Sequence, residues 1–144
     1  MDEKNTRELE DVLKKTKHTD ALETYLDRLP DEAPHTAFRD YFQSLDAVKK
    51  TDASDIIAKS GIERTYYYQL MNGTRNPGRD KILVLSIAAS LSLKEIQRGL
   101  AIAGQGGLYA KNRRDAIIIF CIERKLSNTD TNELLEQFGE TLLE

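Results

Sequence analysis

The sequence is poor in the residues that build covalent and metal-bound sites. Its 144 residues include no tryptophan, one cysteine, three prolines and two histidines. A single cysteine excludes an intramolecular disulfide and a cysteine-rich zinc site. No apolar run approaches the roughly 20 residues that span a bilayer, and the charged N-terminal segment lacks the apolar core of a signal peptide. We therefore expect a soluble, cytoplasmic protein that binds no metal or cofactor and does not associate with a membrane.

Catalytic arrangements are also missing from the sequence. The acidic residues are scattered over predicted helix surfaces, and neither paired carboxylates nor a serine–histidine–aspartate order emerges. The glycine-rich segment 104–107 has no strand before it and no Lys-Ser/Thr after it, so it does not match a phosphate-binding loop. Cys121 lies among isoleucines, a setting typical of core filling. These observations predict that the chain is not an enzyme.

Charge is distributed unevenly along the chain. The whole sequence has a net charge of −3, but residues 1–48 carry a net −5, residues 49–104 a net +4 and residues 105–144 a net −2. A polyanion would meet the basic middle region first. The excess is modest, and a charged surface can be uneven by chance.

Apolar residues recur three and four positions apart through most of the sequence, which predicts helices. The expected helices cover residues 9–13, 21–29, 37–48, 53–60, 64–72, 79–90, 92–104, 111–125 and the segment after Ser127. Gly61 and Gly73 are suited to end two of them, and Ser92 with Glu95 forms a capping box. The run 117–122 (IIIFCI) is also compatible with a buried strand, but it has no partner strand. The predicted fold class is all-α, with eight or nine helices.

Three regions follow from these patterns. Residues 1–34 are expected to form an acidic N-terminal helical extension that ends at the prolines of PDEAP (30–34). Residues 35–104 contain two short helices joined by a glycine turn, the layout of a helix-turn-helix DNA-binding domain. Residues 105–144 form a C-terminal helical pair that packs on the bundle.

The segment 53–77 carries the most specific pattern. Apolar, glycine, asparagine and proline residues fall in one register, most densely in GIERTYYYQLMNGTRNP, residues 61–77. This pattern resembles the lambda-repressor-like (XRE-type) helix-turn-helix family, and the resemblance covers roughly residues 36–104. It implies a lambda-repressor-like bundle with extra N- and C-terminal helices. Five residues are expected to pack inward: Ile56, Ile62, Tyr67, Leu70 and Met71.

The resemblance also implies which side chains meet DNA. The helix 64–72 would lie in the major groove as the recognition helix. The base-reading residues would be Arg64, Thr65 and Gln69, with Tyr68 on the same outward side. Arginine pairs with guanine, glutamine with adenine, and the threonine methyl meets thymine. The predicted phosphate contacts are Asn72, Thr74, Arg75, Arg79 and Lys81.

These features predict a transcriptional regulator that binds double-stranded DNA sequence-specifically, with homodimerisation as an open possibility. The alternative is a protein-interaction adaptor or antitoxin-like module that keeps the scaffold without reading DNA. The acidic residues 1–34 would then contact a protein partner, pack on the basic middle region or form a dimer interface. For a DNA-binding protein, a regulatory alternative is that residues 1–34 mask the basic region. The basic segment 111–114 is either a second phosphate patch or, as we prefer, a solvated helix start.

Overall fold

The structure, a computed structural model, describes residues 37–144, and this part of the chain is entirely helical. The all-α prediction is confirmed there. The predicted helices within residues 1–34 lie outside the described range. Eight helices follow one another in residues 37–144: α1 (Phe38–Ser44), α2 (Asp46–Lys49), α3 (Ala53–Ser60), α4 (Arg64–Asn72), α5 (Arg79–Ala88), α6 (Leu93–Ile102), α7 (Arg113–Glu123) and α8 (Asn128–Gln137). None of these helices is long and apolar enough to cross a membrane.

The predicted continuous helix 37–48 is interrupted at Leu45. The backbone of Leu45 is extended (φ −73°, ψ 138°), so α1 ends there and α2 begins with Leu45 as its N-cap. The apolar pattern survives the break because Phe38, Phe42 and Val48 are all buried. Since the apolar spacing continues across the break, periodicity alone could not reveal it.

The helix ends predicted at Gly61 and Gly73 and the capping box predicted at Ser92 are confirmed. Gly61 ends α3 and Gly73 ends α4, both with left-handed backbones (φ 71° and 85°) that glycine adopts without strain. The hydroxyl of Ser92 accepts the N–H of Glu95, whose carboxylate accepts the N–H of Ser92. Ser127 caps α8 in the same way through the N–H of Asp130.

The apolar run 117–122 is helical, so the strand interpretation is wrong. It lies within α7, where Ile118, Cys121 and Ile122 are buried. Burial raises the pKa of the Cys121 thiol. The expectation that Cys121 fills the core is confirmed.

Helix α5 is the centre of the core. Every residue from Ile82 to Ala89 is buried, and α5 packs against α3, α6 and α8. Helix α1 joins α4 to α6, while α7 packs against α6 and α8. Of the residues expected to pack inward, Ile56, Ile62, Tyr67 and Leu70 are buried and Met71 is half-buried. This leaves the opposite side of α4 in solvent.

Two crossed arginine–aspartate pairs fix the start of α7 to the start of α5. Arg79 donates to both carboxylate oxygens of Asp115 (3.0 and 2.9 Å). Arg114 donates to both oxygens of Asp80 (3.2 and 2.9 Å). Arg114 also binds the carbonyl oxygens of Thr141 and Leu142, so the same pair holds the end of the chain.

Candidate nucleic-acid interface

One side of α4 is exposed. Tyr67 and Leu70 face the core, with 5% and 1% of their surface exposed, whereas the adjacent Tyr68 is 46% exposed. Arg64 and Thr65 are exposed as well. Residues i and i+4 of a helix lie on one face, so Arg64 and Tyr68 are neighbours, and the exposed Thr65 borders them on the same outer side of α4. The Tyr68 ring packs edge-on against Tyr67, with centroids 5.3 Å apart.

The turn before α4 positions the first of these groups. Only Gly61, Ile62 and Glu63 separate α3 from α4. Ile62 is buried, and its N–H donates to the hydroxyl of Ser60 at 3.3 Å. Glu63 occupies the N-cap without a side-chain cap bond, so Arg64 is the first helical residue. The start of α4 therefore holds a cation beside an exposed carboxylate.

Two of the predicted contact residues bind each other. The Nε of Arg75 donates to the side-chain oxygen of Gln69 at 3.0 Å, and the Arg75 N–H donates to the Gln69 carbonyl at 3.1 Å. The Gln69 side chain is thereby oriented by the loop after α4. The Gln69 oxygen can accept two hydrogen bonds, so pairing both amide atoms of Gln69 with adenine would make adenine and Arg75 share that oxygen.

The loop after α4 is also ordered by Asn72. Its side-chain oxygen accepts the N–H of Thr74 at 2.9 Å and the Thr74 hydroxyl at 2.6 Å. Both residues are exposed. With that oxygen occupied, the amide nitrogen of Asn72 is the end that can donate to an external acceptor.

Tyr66 is a residue of this surface that the sequence analysis missed. Arg75 lies 5.7 Å from the centroid of the Tyr66 ring, and Lys81 lies 6.0 Å from it. These distances fit cation–π contacts, so one ring brings together a cation of the loop and a cation of α5. The sequence gives little signal for this because Tyr66 is one of three consecutive tyrosines.

Arg39 is the second missed residue. A Cβ atom placed on Gly73 would collide with the Arg39 guanidinium, which therefore lies directly against the end of α4. The neighbouring Gln43 donates to the Met71 carbonyl at 3.2 Å, which ties α1 to the same helix end. The contact joins residues 34 positions apart in the sequence, so only the fold reveals it.

Arg79 has an internal role in place of the predicted phosphate contact. Besides its two bonds to Asp115, it donates to the carbonyl oxygens of Gly106 (2.8 Å) and Gly107 (2.9 Å). These four hydrogen bonds compete with binding of a phosphate to Arg79, so the candidate interface does not include Arg79. Nothing in the local sequence points to Asp115, which lies 36 residues away.

The two arginines of the basic segment 111–114 also bind groups within the protein. Arg113 donates to the Phe138 carbonyl at 2.8 Å and pairs with Glu140 at 3.3 Å. Arg114 is held by Asp80 and the chain end. These contacts give the two arginines a structural role and provide no support for a second phosphate patch.

Within residues 37–144, no group of three histidine, cysteine, aspartate or glutamate side chains is placed to hold a metal ion. Comparisons of the chain with family models, curated protein sequences and solved structures found no match. The residues of α4 and its surroundings are therefore the features that indicate a function.

Proposed function

We propose that the protein binds double-stranded DNA sequence-specifically through the exposed side of α4, as a helix-turn-helix transcriptional regulator. The observation that carries this proposal is the division of α4 into two sides. Its inner side is fixed by Tyr67 and Leu70, while Arg64, Thr65 and Tyr68 stand exposed on the outer side. A helix presented in this way fits the major groove, with its N-terminal residues at the base edges.

The cations at the other end of α4 support the same assignment. Arg75 and Lys81 meet at Tyr66, and the exposed Asn72 and Thr74 lie in the loop beside them. In this arrangement Arg64 and Thr65 read bases, whereas Asn72, Thr74, Arg75 and Lys81 contact the phosphate backbone. Contacts of the second kind set position and affinity, and contacts of the first kind set sequence preference.

Chemical-shift mapping tests which surface meets DNA before any target sequence is known. The isotope-labelled full chain is titrated with duplexes of random sequence, and backbone amide shifts are followed. The expected shifts are confined to the start of α4, to Tyr68 and to residues 72–81. Shifts confined to α7 and α8 would overturn the proposal.

Matched variants sharpen this test. Arg75→Ala removes a cation of the proposed surface and should weaken duplex binding. Lys94→Ala removes an equal charge from an exposed position in α6 and should leave binding unchanged. Equal losses in the two variants would indicate general attraction between charges and not a defined interface.

A protein-interaction function is the second candidate because the C-terminal helices expose aromatic surface. Phe120 is 45% exposed and Phe138 47% exposed. The Arg124 guanidinium lies over the Phe120 ring, 3.5 Å from its centroid. A protein partner docked there should protect α7 and α8, and not α4, from hydrogen exchange.

A further inference from the structure

A cavity of about 300 Å³ opens beside the end of α4, separate from the proposed base-reading residues. Its walls come from α1, from the loop between α4 and α5, and from the end of α6. Six apolar residues line it: Ala37, Phe38, Leu70, Pro77, Ile102 and Ala103. This volume is at the lower end of the range for small-molecule sites, so the cavity suits a ligand of one or two rings.

Two arginines, Arg39 and Arg75, also line this cavity. Among the described residues that line it, no side chain is acidic. Among residues 37–144, Arg39 pairs with the carboxylate of Asp40 at 3.8 Å, with both groups substantially exposed, an ion pair of little strength in water. The Nε of Arg75 donates to Gln69, and the rest of its guanidinium carries further donors. The cavity therefore combines an apolar interior with cationic groups.

The position of Arg39 is set by the backbone around it. Its guanidinium lies against Gly73, where any side chain would displace it, and Gln43 ties α1 to the Met71 carbonyl. Such support limits the side-chain entropy that Arg39 would lose when it binds a ligand. An anion entering the cavity meets a cation that is already in place.

We propose that this cavity binds a small organic anion, an aromatic or aliphatic carboxylate whose apolar body contacts Phe38, Leu70 and Ile102. The carboxylate accepts hydrogen bonds from Arg39 and Arg75. The site requires both the arginines and the apolar walls. The arginines favour an anion over a neutral ligand, and the apolar walls favour an organic anion over an inorganic one. The site does not depend on the proposed reading of DNA by α4.

Titration of the full chain with 2-naphthoate, followed by backbone amide shifts, tests this inference. Saturable shifts are expected at Gly73, at residues 75–77 and at residues 102–105. The neutral 2-naphthamide tests the charge, and acetate tests the apolar body. The amide should bind at least about tenfold more weakly, since one hydrogen bond to a charged group is worth roughly that factor. Acetate should also bind at least about tenfold more weakly, because it loses the burial of the naphthyl body.

Variants of the two arginines complete the test. Arg39→Ala and Arg75→Ala should each weaken 2-naphthoate binding about tenfold or more. Lys94→Ala, which is matched in charge and lies outside the cavity, should leave binding unchanged. Far-ultraviolet circular dichroism and the retained amide spectrum establish that each variant is folded.

Three outcomes would overturn the proposal: an absence of saturable shifts at the cavity, equal affinity for 2-naphthoate and 2-naphthamide, or equal losses in all three variants. Arg75 belongs to both proposed sites, so residues 102–105, which lie outside the proposed DNA surface, separate them. Shifts at residues 102–105 with duplex DNA and not with 2-naphthoate would overturn the carboxylate site and assign Arg39 to phosphate binding. Loss of 2-naphthoate binding in Arg39→Ala with unchanged duplex binding would separate the cavity from the DNA surface.

Discussion

At the scale of single residues, Gly73 serves two purposes. Its left-handed backbone (φ 85°) ends α4, and its lack of a side chain admits the Arg39 guanidinium. We expect Gly73→Ala to lower the free energy of unfolding by about 1–2 kcal/mol for the backbone alone, with an added cost for displacing Arg39. Urea unfolding followed by circular dichroism measures this change.

Gly61→Ala is the matched control for that prediction. Gly61 has a similar backbone (φ 71°), but a Cβ atom there meets nothing within 4 Å. The difference between the two substitutions therefore reports the contact with Arg39, and it should disappear in an Arg39→Ala background. A difference that persists in that background would contradict the contact.

Arg64 and Arg75 are expected to act differently on DNA. Arg64→Ala should cost about 1–3 kcal/mol on a specific site and relax the base preference locally. Arg75→Ala should weaken binding to all sequences alike and reduce the salt dependence by about one unit. Fluorescence anisotropy with specific and scrambled duplexes across a salt series measures both effects. Equal losses on the two duplexes for Arg64→Ala would contradict its base-reading role.

The sequence predicted the exposed side of α4 more completely than the contacts made by its cations. The family resemblance implied that Arg64, Thr65 and Tyr68 face outward, and all three are exposed. It also implied that Tyr67 and Leu70 face inward, and both are buried. The bond between Gln69 and Arg75 and the position of Arg39 depend on how the loop closes and on how α1 packs. Neither leaves a pattern in the local sequence.

At the scale of elements, the crossed pairs between α5 and α7 respond to acid. Burial acts to raise the pKa of Asp80, but hydrogen bonds from Arg114 and from the N–H of Glu144, together with nearby arginine charges, lower it overall. Burial likewise acts to raise the pKa of Asp115, and bonds from Arg79 and from the N–H of Tyr109 outweigh it.

These lowered pKa values predict a loss of stability in acid. The unfolded chain binds protons at the ordinary aspartate pKa of about 3.9, whereas the folded chain binds them at lower pH. The stabilisation is therefore present above about pH 4 and is lost as the pH falls through the folded pKa values. Urea unfolding across this range should show the loss, and Asp80→Asn with Asp115→Asn should reduce it. An unchanged pH dependence in the double variant would contradict this account.

Arg79 is expected to matter for stability rather than for DNA binding. Asp115 is buried (6% exposed), so removal of its partner leaves a buried carboxylate uncompensated. We expect Arg79→Ala to cost about 3 kcal/mol or more, whereas the exposed Arg64→Ala should change stability by less than about 0.5 kcal/mol. Thermal and urea unfolding compare the two variants. An Arg79→Ala variant that is as stable as the wild type but binds duplex DNA more weakly would contradict this account and indicate that Arg79 contacts phosphate.

Helix ends were more predictable than helix continuity. Gly61, Gly73 and the Ser92–Glu95 capping box carry their signal in a few adjacent residues, and all three lie where the sequence placed them. The break at Leu45 left no such signal because the apolar spacing runs through it. The crossed pairs join residues more than 30 positions apart, beyond the reach of local patterns.

At the scale of the whole molecule, a net charge of −3 has to be reconciled with a polyanionic partner. The proposed surface carries Arg75 and Lys81 as its phosphate-binding cations, and attraction over a cleft or face is local. Two neutralised phosphates predict a slope of about −2 for the logarithm of the binding constant against the logarithm of salt concentration. A slope of zero would contradict phosphate binding, and a much steeper one would require cations outside this surface.

Selection of sites from a random pool of duplex DNA tests the central claim most directly. The full chain and an Arg64→Ala/Thr65→Ala variant are selected in parallel; Gln69 is left intact because it holds Arg75. We predict an enriched motif for the full chain that the variant loses or changes. A symmetric motif with half-sites about 34 Å apart would indicate a dimer. No enrichment, or the same motif enriched by both proteins, would contradict the reading of DNA by α4.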